Sequence, residues 1–202
     1  MPYNRFMKTL WLALMFAPAL ALGQTPAEVQ KLFEAGRFQQ VADMAAPAAE
    51  APVLYLVAQS HQKLGATEEA RQVYVRLADR GDNDPWHFIG MSGQQLLDND
   101  TDAARDSARR AIELADDLAE AHYQLGIALA RRQEWRDAAA AFDRVAEIRP
   151  AHAYAHYNGG LMHYRANRPD RMAIHFEQFL KLAPEAPERP EVLQIMRTIR
   201  GR

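Results

Sequence analysis

Cysteine is absent from this sequence of 202 residues. Its absence excludes disulfides, thiolate nucleophiles and thiolate metal ligands, and it also excludes the acylated cysteine of a lipoprotein. A glycine-rich phosphate loop and a nucleophile elbow are missing too, and Ser60, Ser92 and Ser107 lie in stretches with the periodicity of helices. We therefore expect neither enzyme activity nor a cofactor.

An excess of positive charge is also missing. The chain has 24 lysines and arginines against 26 aspartates and glutamates. Such a balance provides no overall basic field to attract phosphate backbones. Nucleic acid is therefore not an expected partner.

The apolar runs of this sequence are short. The longest uncharged one covers thirteen residues, 10–22, and follows Arg5 and Lys8. A membrane-spanning helix needs about 20 apolar residues, so this pattern favours a secretory signal peptide over residues 1–23. Cleavage is expected after Gly23 or, nearly as well, after Ala21, and an uncleaved anchor is the alternative. We predict a periplasmic or secreted protein without stable membrane insertion.

A repeat of constant length runs through the rest of the chain without gaps. It divides the sequence into the units 51–84, 85–118, 119–152 and 153–186. Small residues recur at one position of each unit, which allows two antiparallel helices to cross closely. These residues are Ala58, Ser92, Gly126 and Gly160.

The third unit carries a recognisable spacing of small, large and terminal residues. These residues are Leu125, Gly126, Leu129, Ala138, Phe142 and Pro150. In this spacing, and in the length of its units, the chain resembles the tetratricopeptide-repeat family, whose repeats have about 34 residues. The resemblance covers residues 26–200 and is to an exported bacterial member. It implies an all-α, right-handed superhelical solenoid of antiparallel helix pairs, and a scaffold that binds proteins or peptides.

The ends of the solenoid are expected to differ from its middle. Residues 24–50 resemble a truncated helix pair, whereas residues 187–202 predict a C-terminal capping helix. The fourth unit departs from the family pattern, because Gly159 stands where leucine is usual and Met172 replaces a small residue. Looser packing is therefore expected in that unit.

The resemblance places the first helix of each repeat on the concave surface. Stepping by three or four residues along these helices gives a set rich in tyrosine, tryptophan and arginine, which are common in protein interfaces. We expect this groove to bind a segment or helix of a cell-envelope protein. A convex, terminal or self-association surface is the alternative, with a homodimer possible. The predicted groove residues are Tyr55, Gln59, Lys63, Trp86, Ile89, Tyr123, Ile127, Arg131, Tyr154, Tyr157, Leu161, Tyr164 and Arg165.

Four histidines raise the alternative of a metal-binding protein. His152 and His156 are four residues apart, His163 follows, and His122 occupies the same repeat position as His156. Spacing of this kind suits a metal on a helix. However, His122, His156 and His163 occupy repeat positions that normally point into the helix-packing layer, and no carboxylate is placed alongside them in the sequence. The sequence therefore favours packing histidines and no metal site.

Overall fold

The computed structural model describes residues 25–46 and 49–200. The predicted signal peptide lies outside these residues. Within them the chain forms eleven helices and no strand, which confirms the predicted all-helical solenoid. The helices are α1 Pro26–Glu34, α2 Phe38–Ala42, α3 Ala51–Lys63, α4 Thr67–Ala78, α5 Pro85–Leu97, α6 Thr101–Leu114, α7 Ala119–Arg131, α8 Trp135–Ile148, α9 Ala153–Arg165, α10 Pro169–Leu182 and α11 Arg189–Arg200.

The first helices of the four repeats, α3, α5, α7 and α9, begin at the first residue of each sequence unit. Local chemistry fixes their ends. Asp84 caps α5, with its carboxylate accepting from the Trp86 N–H at 2.9 Å. After the first helices the backbone turns through the left-handed region, where glycine and asparagine are favoured. Gly65, Asn99 and Asn167 hold this position, and Gln133 adopts it as well, with a φ of 62°.

Close helix crossings hold each pair together. Ala58, Ser92 and Ala138 are fully buried at these crossings. At Gly126 a Cβ atom would lie 2.8 Å from the Phe142 ring, so glycine leaves the space that this ring fills. The small residues expected from the sequence therefore lie in the packed core.

The fourth repeat fills its unusual positions in a different way. Met172 is buried, and the ring of His175 occupies the space beside Gly159. A Cβ atom on Gly159 would lie 2.9 Å from His175 Nδ1. The expectation of looser packing is therefore wrong at this position, because a second-helix side chain replaces the missing first-helix side chain.

The last helix, α11, covers the end of the stack. Val192 and Met196 are buried against Met172, Phe176 and Phe179, within one apolar cluster. Burial of this face keeps the apolar end of the solenoid away from water. Among residues 25–46 and 49–200, no helix has the length and apolar character needed to cross a membrane.

Replacing Gly126 with leucine is expected to destabilise the fold. The added side chain has no room against the Phe142 ring, and overpacking of this kind lowers the free energy of unfolding by about 1–3 kcal/mol. Thermal and urea unfolding measure the change. The control is Ala140→Leu, at an exposed position on α8. Equal stability of the two variants would contradict the crossing described here.

The stability of the protein is expected to fall in mild acid because of His152. Burial, followed by the charge of Arg149, lowers the pKa of this histidine from 6.5 to about 3. Its neutral Nδ1 caps α9 by accepting from the Ala155 N–H. The unfolded chain binds a proton at His152 below pH 6.5, whereas the native state binds it only near pH 3. The contribution of neutral His152 to the free energy of unfolding is therefore complete above pH 6.5 and declines as the pH falls towards 3.

The substitution His152→Asn tests this dependence, because asparagine keeps a capping oxygen and does not titrate. Between pH 6 and 4, the free energy of unfolding of the variant is expected to fall less steeply, by up to about 1.4 kcal/mol per pH unit. Urea titrations across that range supply the measurement. Parallel pH curves for both proteins would show that His152 does not titrate as described.

Candidate functional site

A cleft of about 230 Å³ opens on the concave side of the solenoid. Its walls come from α3, α4, α5, α7 and α9, and α1 contributes one apolar side chain. We call this space the central cleft. It is lined by Phe33, Gln59, Gln62, Lys63, Tyr74, Leu96, Tyr123, Gln124, Ile127, Arg131 and Asn158.

Helix α1 folds back onto the last repeat. The buried ring of Phe33 lies 5.2 Å from the ring of Tyr154 in an edge-to-face arrangement. The Ala153 N–H, at the start of α9, donates to Glu34 Oε1 at 3.1 Å across 119 positions of sequence. The N-terminal helix therefore fills part of the concave space.

The loop between α10 and α11 meets the same region. Glu188 accepts from Lys63 Nζ at 2.6 Å and from the Tyr154 hydroxyl at 2.8 Å. Gly36, with a φ of +73°, passes against Pro187, where a Cβ atom would lie 3.0 Å from the proline ring. Contacts between the two ends of the described chain thus narrow the central cleft.

The predicted groove residues separate into distinct environments. Gln59, Lys63, Tyr123, Ile127 and Arg131 come together in the central cleft. Four of the thirteen are buried, namely Tyr55, Ile89, Tyr123 and Tyr154. The other five lie outside the central cleft. Trp86 packs against Tyr55, Tyr157 donates a hydrogen bond to Glu191, and Leu161 packs against the apolar cluster around Phe176. Tyr164 is exposed, and Arg165 lies over the Trp135 ring.

Burial changes the role that Tyr123 can have. Its ring packs edge-on against Phe142 at 5.4 Å and stacks on His152 at 5.3 Å. Its hydroxyl accepts from Asn158 Nδ2 at 2.7 Å. Tyr123 therefore supports the fold and presents only its polar end to the central cleft.

Gln59 was a predicted groove residue, but three other amide side chains of the central cleft, Gln62, Gln124 and Asn158, were not predicted. Gln124 and Asn158 both hold the sixth position of their repeats, one residue away from the positions chosen by stepping along each helix. The recurrence of an amide at that position was the available signal. Gln62 lies on α3 and accepts from the Tyr74 hydroxyl at 2.9 Å.

Neutral amide and hydroxyl groups contribute much of the lining of the central cleft. Burial raises the pKa of Tyr74 and of Tyr123, so both hydroxyls stay neutral. Cations stand beside these groups, with Arg131 donating to the Leu96 carbonyl and Lys63 paired with Glu188. The cleft thus offers amide donors and acceptors next to apolar walls.

A second polar cluster lies between the third and fourth repeats. Asp143 Oδ1 accepts from His163 Nε2 at 2.9 Å and lies 2.8 Å from His175 Nε2. Burial opposes ionisation of Asp143, but the two histidines outweigh it and hold the pKa of its carboxyl well below the usual range. The expectation that no carboxylate lies alongside is therefore wrong for His163.

The remaining predicted histidines do not join this cluster as ligands. His122 Nε2 forms a hydrogen bond with the Asp116 carbonyl at 2.9 Å, and His156 Nε2 forms one with the Pro150 carbonyl at the same distance. His152 caps α9. His175 was missed, because no helical spacing links it to Asp143 or His163, and only the packing of three helices brings them together.

Comparisons with known proteins agree with this architecture. The tetratricopeptide-repeat family model matches residues 98–150 and 123–187. TTC0263, a thermophilic TPR protein in Thermus thermophilus, superposes with a TM-score of 0.61 at 15% identity, covering 86% of this chain and 96% of its own. No curated protein sequence matches the chain significantly.

The comparisons also found two further solved structures. MamA has a TM-score of 0.50 at 17% identity, with 80% of this chain and 96% of the MamA chain covered. YrrB, described as a TPR protein with an unusual peptide-binding site, has a TM-score of 0.49 at 18% identity, with coverages of 79% and 84%. The family model thus supports tetratricopeptide repeats over residues 98–187, and the described helices pack in consecutive pairs as in a tetratricopeptide-repeat solenoid.

Proposed function

We propose that this protein is an exported adaptor that binds an extended segment of a cell-envelope protein in the central cleft. The observation that carries the proposal is the group of amide side chains lining that cleft. Gln59, Gln62, Gln124 and Asn158 project into one space from three first helices. Catalysis has no part in this proposal.

Amide side chains suit the recognition of a peptide backbone. Each carries a carbonyl acceptor and an NH₂ donor, which is the pairing that a peptide group also presents. Leu96 and Ile127 supply apolar wall between them, against which a partner side chain can be buried. A peptide segment that forms hydrogen bonds through its backbone and buries an apolar side chain fits this combination.

The size of the central cleft favours an extended segment over a helix. A helix with its side chains is about 10–12 Å across, whereas the cleft has about 230 Å³ and α1 already occupies part of the concave space. A few extended residues fill such a volume. Arg131 at its wall suits a partner with a carboxylate, whereas Lys63 is already paired with Glu188.

Self-association is the second candidate of the sequence analysis. The apolar face of α11, which would pair with another copy, is covered within the chain by the cluster around Phe176. The exposed large apolar residues include Leu64, Leu114 and Ile174, which lie on separate helices or helix ends. Scattered apolar residues are ordinary on protein surfaces, so these observations favour an adaptor.

Site-specific photocrosslinking in cells tests the binding surface. A photoreactive residue at Gln59 or Asn158 is expected to form adducts with an envelope protein, because both positions face the central cleft. The same residue at Gln178, an exposed position on the second helix α10, serves as the matched control. Adducts are identified by mass spectrometry. Adducts at Gln178 and none in the cleft would place binding on another face.

The double substitution of Gln59 and Asn158 by alanine measures the amide contribution. Two neutral hydrogen bonds contribute about 0.5–1.5 kcal/mol each, so the affinity for the captured partner segment is expected to fall about 10-fold. The control is Gln72→Ala, at an exposed position on α4. Unchanged affinity, measured by calorimetry, would contradict recognition through these amides.

Export is tested by the N-terminus of the protein purified from cells. Removal of the predicted signal peptide leaves a chain that begins at Gln24 or at Leu22, which intact-mass spectrometry distinguishes. Leu14→Arg places a charge within the apolar run and is expected to block processing. A soluble cytoplasmic chain that keeps residues 1–23 would contradict export.

A further inference from the structure

The structure brings three metal-ligating side chains from three helices to one point. Asp143 comes from α8, His163 from α9 and His175 from α10. Their ligand atoms all lie within 4.8 Å of one another. Both imidazoles direct Nε2 at the same carboxylate oxygen, at 2.9 and 2.8 Å. We propose that these three side chains bind a Zn²⁺ ion that joins the third repeat to the fourth.

Comparison within the chain shows that packing alone does not require this cluster. In the preceding repeat, Leu125, Leu129 and Ala141 occupy the positions that correspond to Gly159, His163 and His175. That repeat packs with a large side chain on its first helix and a small one on its second. The fourth repeat reverses this order.

The reversal makes room for an imidazole beside the carboxylate. Without a side chain at Gly159, the His175 ring lies where a leucine side chain would otherwise begin. His163 replaces a leucine in the buried layer, and Asp143 reaches both rings from α8. Gly159, His163 and His175 thus replace the apolar set of the preceding repeat, and the two histidines meet Asp143 as a third possible ligand.

The donor set suits Zn²⁺. Two imidazole nitrogens and one carboxylate oxygen form a common ligand set for zinc, whereas calcium and magnesium favour oxygen ligands. In a tetrahedral site with bonds of about 2.0–2.1 Å, ligand atoms lie about 3.3 Å apart, so the cluster has to open by roughly 0.5 Å. The Asp143 side chain is 29% exposed, which gives the ion a route from solvent and water a place as fourth ligand.

Metal binding requires a proton to move on both histidines. A neutral histidine that donates from Nε2 must move this proton to Nδ1 before Nε2 can bind a metal. Neither Nδ1 atom of His163 or His175 has a hydrogen-bond partner among the described residues. The shift breaks no bond at Nδ1, but it leaves each buried Nδ1–H without an acceptor among the described residues, a cost that the metal bonds replacing the two Nε2 contacts with Asp143 must offset.

Zinc titration of the untagged full-length chain, after removal of its predicted signal peptide and dialysis against a chelator, tests the proposal. Calorimetry is expected to show one Zn²⁺ per chain, with an accompanying rise in melting temperature. Co²⁺ as a probe is expected to give visible absorption typical of a four-coordinate site. Absence of stoichiometric zinc binding by the folded protein would overturn the proposal.

Two sets of variants assign the ligands. Asp143→Asn and His175→Gln are each expected to weaken zinc binding at least about 10-fold, the lower end of what disturbing a metal site does to affinity.

The triple variant Gly159→Leu, His163→Leu, His175→Ala restores the apolar set of the preceding repeat, so it is expected to fold and to lose zinc binding. His122→Gln is the control, because His122 lies outside the cluster. Unchanged zinc affinity in the folded triple variant would refute the assignment. The result is independent of the photocrosslinking, because the central cleft contains none of these residues.

Discussion

Close contact between antiparallel helices is the constraint on which the other features of this molecule depend. A single helix pair cannot bury its apolar stripe alone, so each repeat must pack on its neighbours. Gly126 against Phe142 and Gly160 against Phe176 show how little space remains at the crossings. Because interiors are packed as densely as organic crystals, a small change at a crossing alters the angle at which the next repeat stacks. The shape of the concave side is the sum of these angles.

This stacking brings the ends of the chain together around the central cleft. Phe33 reaches Tyr154, and Glu188 reaches Lys63, across most of the sequence. Helix α1 therefore acts as an inner wall, and the space left for a partner is narrow and lined with amides. These amides lie on helices, which favours recognition because little of the backbone must become ordered on binding.

The repeat also tolerates local change when neighbouring positions change together. Gly159 and His175 exchange the large and small side chains of the preceding repeat and leave the helix pair intact. Buried polar groups usually have hydrogen-bond partners; Asp143 supplies one for the Nε2 atom of each imidazole, whereas neither Nδ1 atom has a partner among the described residues. The interface between the third and fourth repeats therefore contains a polar cluster of two histidines and one aspartate, which lies outside the central cleft.

The sequence by itself determined the features that depend on near neighbours in the chain. The constant length of the four units, the small residues at the crossings and the caps at Asp84 and Asn99 are local patterns, and helices form from local contacts. The resemblance to the repeat family led to the prediction that Gln59 and Arg131 line the concave surface. Only the tertiary structure decided that Tyr55 and Ile89 are buried there and that Asp143 meets His175. These outcomes depend on the stacking angle between repeats, which accumulates over the solenoid and which no periodicity in the sequence records.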